Sequence, residues 1–294
     1  MIDMISHFRK VSALLYDQVL ANQVAVAWQA RGQRLDSLSK GMQFSIGIPH
    51  YNRGALIARP LRNLFNHPAV SEVVIVDDGS RESEYEALRE QVRHIDKAGR
   101  VKIHRRIENR GALLTKLECV EKCSSDWVLV LDSDNTAFKG YLDRLRTLAP
   151  LDPSAIYCAA WAYPYFPFDE LSGMTLDFEK SSELLRSGVL KRNYLLNDGN
   201  YLVNRRRYSE VVSLIGHLPS DVVDVLVVNY LWLSKGGKLE VIPKTKYMHR
   251  VDASSFWSRT AEASKKRLVE IYSRMEGAHR WDEDFLQKLR SGLV

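Results

Sequence analysis

Between residues 44 and 134 the chain repeats one pattern four times. A short apolar, largely β-branched run ends in a cluster of polar or turn-forming residues. The runs are Phe44-Ser-Ile-Gly-Ile48, Val73-Val-Ile-Val76, Val101-Lys-Ile-His104 and Trp127-Val-Leu-Val-Leu131. Their closing clusters are Pro49-His-Tyr-Asn-Arg53, Asp77-Asp-Gly-Ser80, Asn109-Arg-Gly111 and Asp132-Ser-Asp134. The intervening segments, 54–65, 82–95 and from Gly111 to about Cys123, read as helices. Strands alternating with helices predict a parallel α/β sheet. In such sheets ligands bind beyond the carboxyl ends of the strands, which is where every one of these clusters falls.

The rest of the chain constrains the reading less. Residues 1–40 read as an amphipathic helical extension. Arg9-Lys10 precedes an apolar stretch, but Asp17, Gln18, Asn22 and Gln23 interrupt it, so it is neither a signal-peptide core nor a spanning helix. Packing on the main domain or a second subunit is expected of it, and peripheral membrane contact is the less favoured reading. After residue 150, Ala159 to Phe168 is aromatic and broken by prolines, which predicts a loop or edge strand with a binding role. Gly199–Asn204 and Leu239–Pro243 read as strands, and Ser220 to Lys235 and Ala261 to Met275 as helices. The expected division is an extension at 1–40, one catalytic unit at 41–254 with halves 41–137 and 138–254, and a helical extension at 255–294.

Composition narrows the classes. At 294 residues, 45% hydrophobic and 27% charged, the chain suits a globular enzyme and excludes a disordered or collagen-like one. Three cysteines without paired spacing argue against a disulfide scaffold or structural zinc site and suit a reducing, cytoplasmic location. The net charge of +6 is mild. Its clusters, Arg105-Arg106, Arg205-Arg206-Arg207 and Lys265-Lys266-Arg267, read better as solvated faces than as a nucleic-acid surface, so no nucleic-acid partner is expected.

Two strand ends carry chemistry on residue type alone. Asp132 and Asp134, two apart after an apolar strand, can both reach a hard cation, though turn capping explains them equally well. Asp78 offers an acceptor-only carboxylate beside Gly79, where backbone can approach a ligand, but a plain turn is the simpler reading.

Taken together, 44–53, 74–80, 109–111 and 130–134 resemble the family 2 inverting glycosyltransferases of GT-A-type fold, in order and with ordinary spacing over residues 43 to about 137. The resemblance implies a Rossmann-like, mostly parallel sheet flanked by helices, with helical N- and C-terminal extensions. It also implies a nucleotide-sugar donor, a UDP-sugar by expectation, a glycan or glycoconjugate acceptor in polysaccharide biosynthesis, and a Mn²⁺ or Mg²⁺ ion. Pro49, Tyr51 and Asn52 would lie against the donor base, and Asp78 would hold the uracil edge. Lys116, five residues after Gly111, would face the phosphates. Asp132, with Ser133 beside it on the donor, would contact the ribose and the metal's water shell. Asp134 would ligate the ion, which neutralises the departing diphosphate.

The resemblance weakens in the second half. Asp198-Gly-Asn-Tyr-Leu-Val-Asn-Arg205 resembles the stretch ahead of the family's base motif. That motif is normally Glu-Asp at a helix start, and here Ser220-Asp-Val-Val-Asp224 stands in its place. Asp224 has the better spacing to Gly236 and is the expected base, with Asp221, a good N-cap, as the alternative. His249 would complete the metal site, or Asp252 in another register. Two further readings stand beside this one. Val130-Leu-Asp-Ser-Asp-Asn-Thr136 also fits a haloacid-dehalogenase-type phosphatase, with Asp132 as nucleophile and Asp134 as acid/base. The irregular base motif leaves open a non-catalytic nucleotide-sugar-binding protein.

Overall fold

The computed structural model describes residues 41–65, 67–148, 150–191, 194–218, 223–251 and 256–292. The expected N-terminal helix, Asp221 and Asp252 lie outside the described residues.

The four β-branched runs are parallel strands: β1 (Phe44–His50), β2 (Val70–Asp77), β3 (Val101–Arg105) and β4 (Trp127–Val130). Ile46, Ile48 and all of Val73–Val76 are fully buried, the continuous apolar signature of strands covered on both faces. The helices α1 (Ala58–Phe65), α2 (Glu82–Ile95) and α3 (Ala112–Lys122) alternate with them. The segment predicted as one helix from Gly54 begins with a single 3₁₀ turn, Gly54–Leu56, before α1. The cause is space: a Cβ on Gly54 would lie 2.1 Å from the Glu84 carbonyl oxygen, so this turn packs backbone to backbone on α2.

The order of the large sheet is β3-β2-β1-β4-β10-β6-β11-β9. Its second half comprises β6 (Ala155–Ala159), β9 (Thr175–Leu176), β10 (Tyr201–Asn204) and β11 (Lys238–Ile242). β10 runs antiparallel between β4 and β6, with Leu202 opposite Leu129 on one side and Tyr157 on the other. β6 and β11 are parallel, and β9 closes the edge antiparallel. A smaller sheet pairs β5 (Thr136–Ala137), β12 (Tyr247–Met248), β7 (Trp161–Tyr163) and β8 (Phe166–Pro167) in the order β5-β12-β7-β8. The aromatic, proline-broken segment is therefore a hairpin of this small sheet, which carries it to the same end of the molecule as Asp132.

The sequence reading passed over α4 (Lys139–Arg146), β6, β9, α5 (Phe178–Arg186) and α6 (Arg205–Val212). The helix expected from Ser220 is described as α7 (Asp224–Ser234), nearly all of it buried. The last elements, α8 (Phe256–Glu276) and α9 (Glu283–Ser291), belong to the same compact unit as the sheet, residues 42–294. Ile271, Tyr272 and Met275 of α8 are buried, as are Phe285, Leu286 and Leu289 of α9. Arg290 donates to the carbonyls of Leu214 and Ile215, and the Tyr230 hydroxyl to that of His279. No helix among the described residues is long and apolar enough to cross a membrane.

Candidate active site

Three of the expected site residues meet at one point. Lys116 on α3 reaches Asp224, the first residue of α7, with Nζ 2.8 Å from Oδ2, and stands 3.9 Å from Asp132 Oδ1. Its side chain is 9% exposed. Burial alone would lower the ammonium's pKa, but the two carboxylates more than compensate and hold it above the usual lysine range. The two carboxylates thus favour the charged ammonium, which links α3 to the start of α7 and to the end of β4.

Asp132 is fixed by amides. Its N–H donates to Asn200 Oδ1 at 2.9 Å, and its Oδ2 accepts from Asn200 Nδ2 and, more weakly, Asn135 Nδ2. Asn200 is carried by the stretch leading into β10, and it also donates to Asp198 Oδ1 and the Tyr247 hydroxyl. Asp198 is itself buried. Desolvation raises its pKa, against hydrogen bonds from Tyr247 and Asn200 that lower it. His249 lies on the rim of this network, with Nδ1 3.5 Å from Asn135 Nδ2 and 3.4 Å from the Tyr247 hydroxyl. Its ring packs edge-on against Phe166, with centroids 5.4 Å apart, and against Tyr165 at 6.4 Å. The aromatic hairpin therefore lines the same mouth.

Asp134 does not face Lys116; its carboxylate is ion-paired with Arg53. Among the described residues no group of three His, Cys, Asp or Glu side chains closes into a cage. Two carboxylates at one strand end nonetheless suit an Mg²⁺-like ion, which is commonly held by one or two carboxylates plus substrate phosphates. The donor set fits an open site of that kind, with Arg53 as the competitor for Asp134. Both His249 contacts use Nδ1, so a metal bond would fall to Nε2.

Asp78 forms a second centre at the end of β2. It is 3% exposed. Oδ1 accepts from Arg106 at 2.8 Å and from the Arg110 N–H, and Oδ2 from the Gly111 N–H, both at 2.9 Å. Among the described residues these fill three of about four lone-pair positions, which leaves one on Oδ2 open. Arg106 also reaches Glu118, Thr115 Oγ1 and the Leu114 carbonyl. Arg106 is thus no part of a solvated face, contrary to the expectation for the Arg105-Arg106 cluster. β3 ends there, and the sheet edge turns its guanidinium inward onto Asp78.

The neighbouring Asp77 is structural. Burial opposes its ionisation, but bonds from His50 Nδ1 (2.7 Å) and Ser80 lower its pKa. Asn52 takes a left-handed φ of 51° and clamps this loop, its N–H donating to Ser80 Oγ and its Oδ1 accepting from the Arg81 N–H. Tyr51 is left 45% exposed beside it. Pro49 is the half-buried penultimate residue of β1, and Ser133 is buried between the two aspartates.

With this geometry in hand, comparison with known proteins is decisive for the family. Residues 45–213, more than half of the chain, match the model of "Glycosyl transferase family 2". The chain belongs to glycosyltransferase family 2. Membership sets aside the phosphatase reading of Asp132–Thr136, which left the strand ends at 49–53 and 77–80 without a role. An uncharacterized glycosyltransferase, the MG060 homolog of Mycoplasma pneumoniae, is 31% identical over 117 residues, 36% of each chain. The family 2 chain thus spans about a third of the length of the curated relative it matches. Crystal structures of S. aureus TarS share its fold. The 1–349 fragment has a TM-score of 0.55 at 14% identity, covering 84% of this chain and 69% of that one. The longer TarS structure has a TM-score of 0.51, also at 14% identity, covering 84% of this chain and 42% of that one.

The sequence named Lys116, Asp132 and Asp224 but not their contact, and gave no separate role to Arg53, Arg106, Asn135, Asn200 or Tyr247. All five sit inside or beside the quoted motifs, so the usable signal was proximity to a strand end.

Proposed function

We propose that this chain transfers a sugar from a nucleotide-diphosphate sugar, a uridine donor by preference, to a hydroxyl of a glycan or glycoconjugate acceptor, with inversion and with Mn²⁺ or Mg²⁺ bound. The observation that carries the reading is the meeting of Lys116, Asp132 and Asp224, which puts donor-side and acceptor-side carboxylates within one side chain's reach.

In this reading Tyr51 lies against the donor base, and the remaining Oδ2 lone pair of Asp78 takes a uracil N–H. Arg106 and the 110–111 backbone fix that carboxylate before the donor arrives. Asp132 and Asp134 would hold the ion, which when bound would supply charge neutralisation for the leaving diphosphate. Asp224 accepts the acceptor's hydroxyl proton as that oxygen bonds to the anomeric carbon. The bond from that carbon to the phosphate oxygen breaks on the opposite face, and its electron pair leaves with the nucleoside diphosphate. The donor half, 41–137, supplies the first set of groups and the acceptor-side half, 138–254, the base.

The test is a nucleotide-sugar panel measured for binding by calorimetry and for turnover with acceptor glycans, each with and without Mn²⁺. Asp224→Asn should keep UDP and metal binding while losing about 10²–10⁴-fold in kcat, the usual contribution of a general base. Asp134→Ala should lose the Mn²⁺-dependent part of UDP binding while staying folded. Full turnover in Asp224→Asn, or unchanged Mn²⁺-dependent UDP affinity in Asp134→Ala, would refute the corresponding role.

A further inference from the structure

The position of Lys116 gives it a task the family resemblance did not assign. That resemblance aims it at the donor phosphates, yet its hydrogen bond goes to the acceptor side. Its Nζ lies 2.8 Å from Asp224 Oδ2 and 3.9 Å from Asp132 Oδ1, so the two carboxylates are not shared equally. Only the first is within hydrogen-bond distance.

The sequence pays attention to this contact at a third place. Gly199 precedes β10, and a Cβ there would stand 3.2 Å from Lys116 Nζ and 2.8 Å from Val225 Cγ2. No unusual φ demands glycine at this position. Space does: the bare backbone lets the lysine and the first turn of α7 meet. Among the described residues, the hydrogen bond that the Asp224 carboxylate accepts is the one from Lys116. The residue before it, Val223, makes no side-chain capping bond, and Asp224 opens the helix with its carboxylate outside the ladder. A short acid at a helix start has several rotamers, and an ammonium 2.8 Å away selects one of them.

We infer that Lys116 is a positioning residue for Asp224: its ammonium holds Oδ2 and leaves Oδ1 as the atom that takes the acceptor's proton. The inference rests on the proposed role of Asp224 as base. It makes Lys116 a determinant of the transfer step and not chiefly of donor affinity. It also ties base geometry to Asp132, since the same ammonium lies against the carboxylate on the donor side.

The experiment is a double-mutant cycle on the full chain with Lys116→Met, Asp224→Asn and the pair together. UDP affinity is read by calorimetry in the presence of Mn²⁺, and transfer in single turnovers at saturating donor and acceptor. Lys116→Gln, which keeps a hydrogen-bond donor without the charge, replaces the methionine variant if that one does not fold. The expected result is a loss of about 10²-fold in the saturated rate for Lys116→Met, with UDP affinity within about threefold of wild type. The double variant should be no slower than Asp224→Asn alone, because the lysine acts through a base already removed. If Lys116→Met weakens UDP binding tenfold or more and saturating donor restores the rate, the lysine serves the phosphates and the inference is overturned. Multiplying effects in the double variant overturn it as well. A fast Asp224→Asn beside a slow Lys116→Met would bring down the base assignment and the inference together. A slow Asp224→Asn beside a fast Lys116→Met would remove the inference alone.

Discussion

Glu72 offers a test of how the parallel strands β1–β3 are held together, because its energetics can be worked from the structure. It lies near the start of β2, at the opposite end of that strand from Asp77 and Asp78. It is 6% exposed. Oε1 accepts from Ser45 Oγ at 2.8 Å and from the Ser124 N–H and Oγ at 2.6 Å, and Oε2 from Lys102 Nζ at 2.7 Å. Burial pushes the carboxyl upward, but these four donors outweigh it and bring the pKa down to about 2. Against the ordinary 4.5, at about 1.4 kcal/mol for each factor of ten in proton affinity, this amounts to about 3 kcal/mol. Lys102 is 56% exposed, so its share is screened and about 2–3 kcal/mol is the working figure. The folded-state pKa is the lowered one. The stabilisation is therefore fully present above about pH 4.5 and is lost as the pH falls through about 2. At about pH 3 less than half of it remains. Urea denaturation of wild type and Glu72→Gln should thus differ by about 2–3 kcal/mol at pH 7, and the difference should shrink by more than half at pH 3. UDP binding should be unaffected at pH 7, because the proposed donor site lies at the other end of β2. A stability difference that does not change between pH 7 and pH 3 would refute the reasoning.

Two further expectations concern packing and the Asp78 centre. Gly54→Ala should destabilise by about 2 kcal/mol or more, since its Cβ would meet the α2 backbone at 2.1 Å, whereas Gly140→Ala, with nothing within 4 Å, should stabilise α4 by about 0.5–1 kcal/mol. Paired thermal melts decide both, and a silent Gly54→Ala would contradict the close approach. Arg106→Met leaves Asp78 buried without its ion partner and should cost about 3–5 kcal/mol in a urea titration. Adding Asp78→Asn should recover part of that loss, and no recovery would mean that the cost lies elsewhere in the Arg106 contacts.

What could be read from the sequence divides along the sheet. β1 to β4 announce themselves because buried parallel strands are uninterrupted apolar runs and their ends carry distinctive polar clusters. β6 is hard to read because Ala155–Ala159, although preceded by the Asp152-Pro153-Ser154 turn, runs without a break into the aromatic segment from Ala159, and β9 because two residues carry no period at all. Arg106 read as surface because charge type is visible in a sequence and the direction of a strand end is not. The contact of Lys116 with Asp224 spans 108 residues, and no local pattern records which strand will insert between their elements. Which groups Asp132, Asp134 and His249 face is likewise not visible in the sequence. The residues share an end of the fold, but Asp134 turns to Arg53 and His249 to Asn135 and Tyr247.

The antiparallel seating of β10 has a consequence for how this chain assembles. β4 and β6 never touch; each is completed only by a strand that arrives after α5, with Leu129 waiting for Leu202 across 73 positions. Until β10 is inserted, both strands present open ladders of N–H and C=O groups, the template on which chains pair with one another and aggregate. A polypeptide stopped between residues 160 and 200 would leave β4 bare on one side and β6, whose other neighbour β11 also lies further along the chain, bare on both. The closure is also non-local, so its entropic cost falls before its contacts form, and seating β10 is the slow step expected of such a topology. The strand that joins β1–β4 to the rest of the sheet is thus also the one whose late arrival exposes these edges during synthesis.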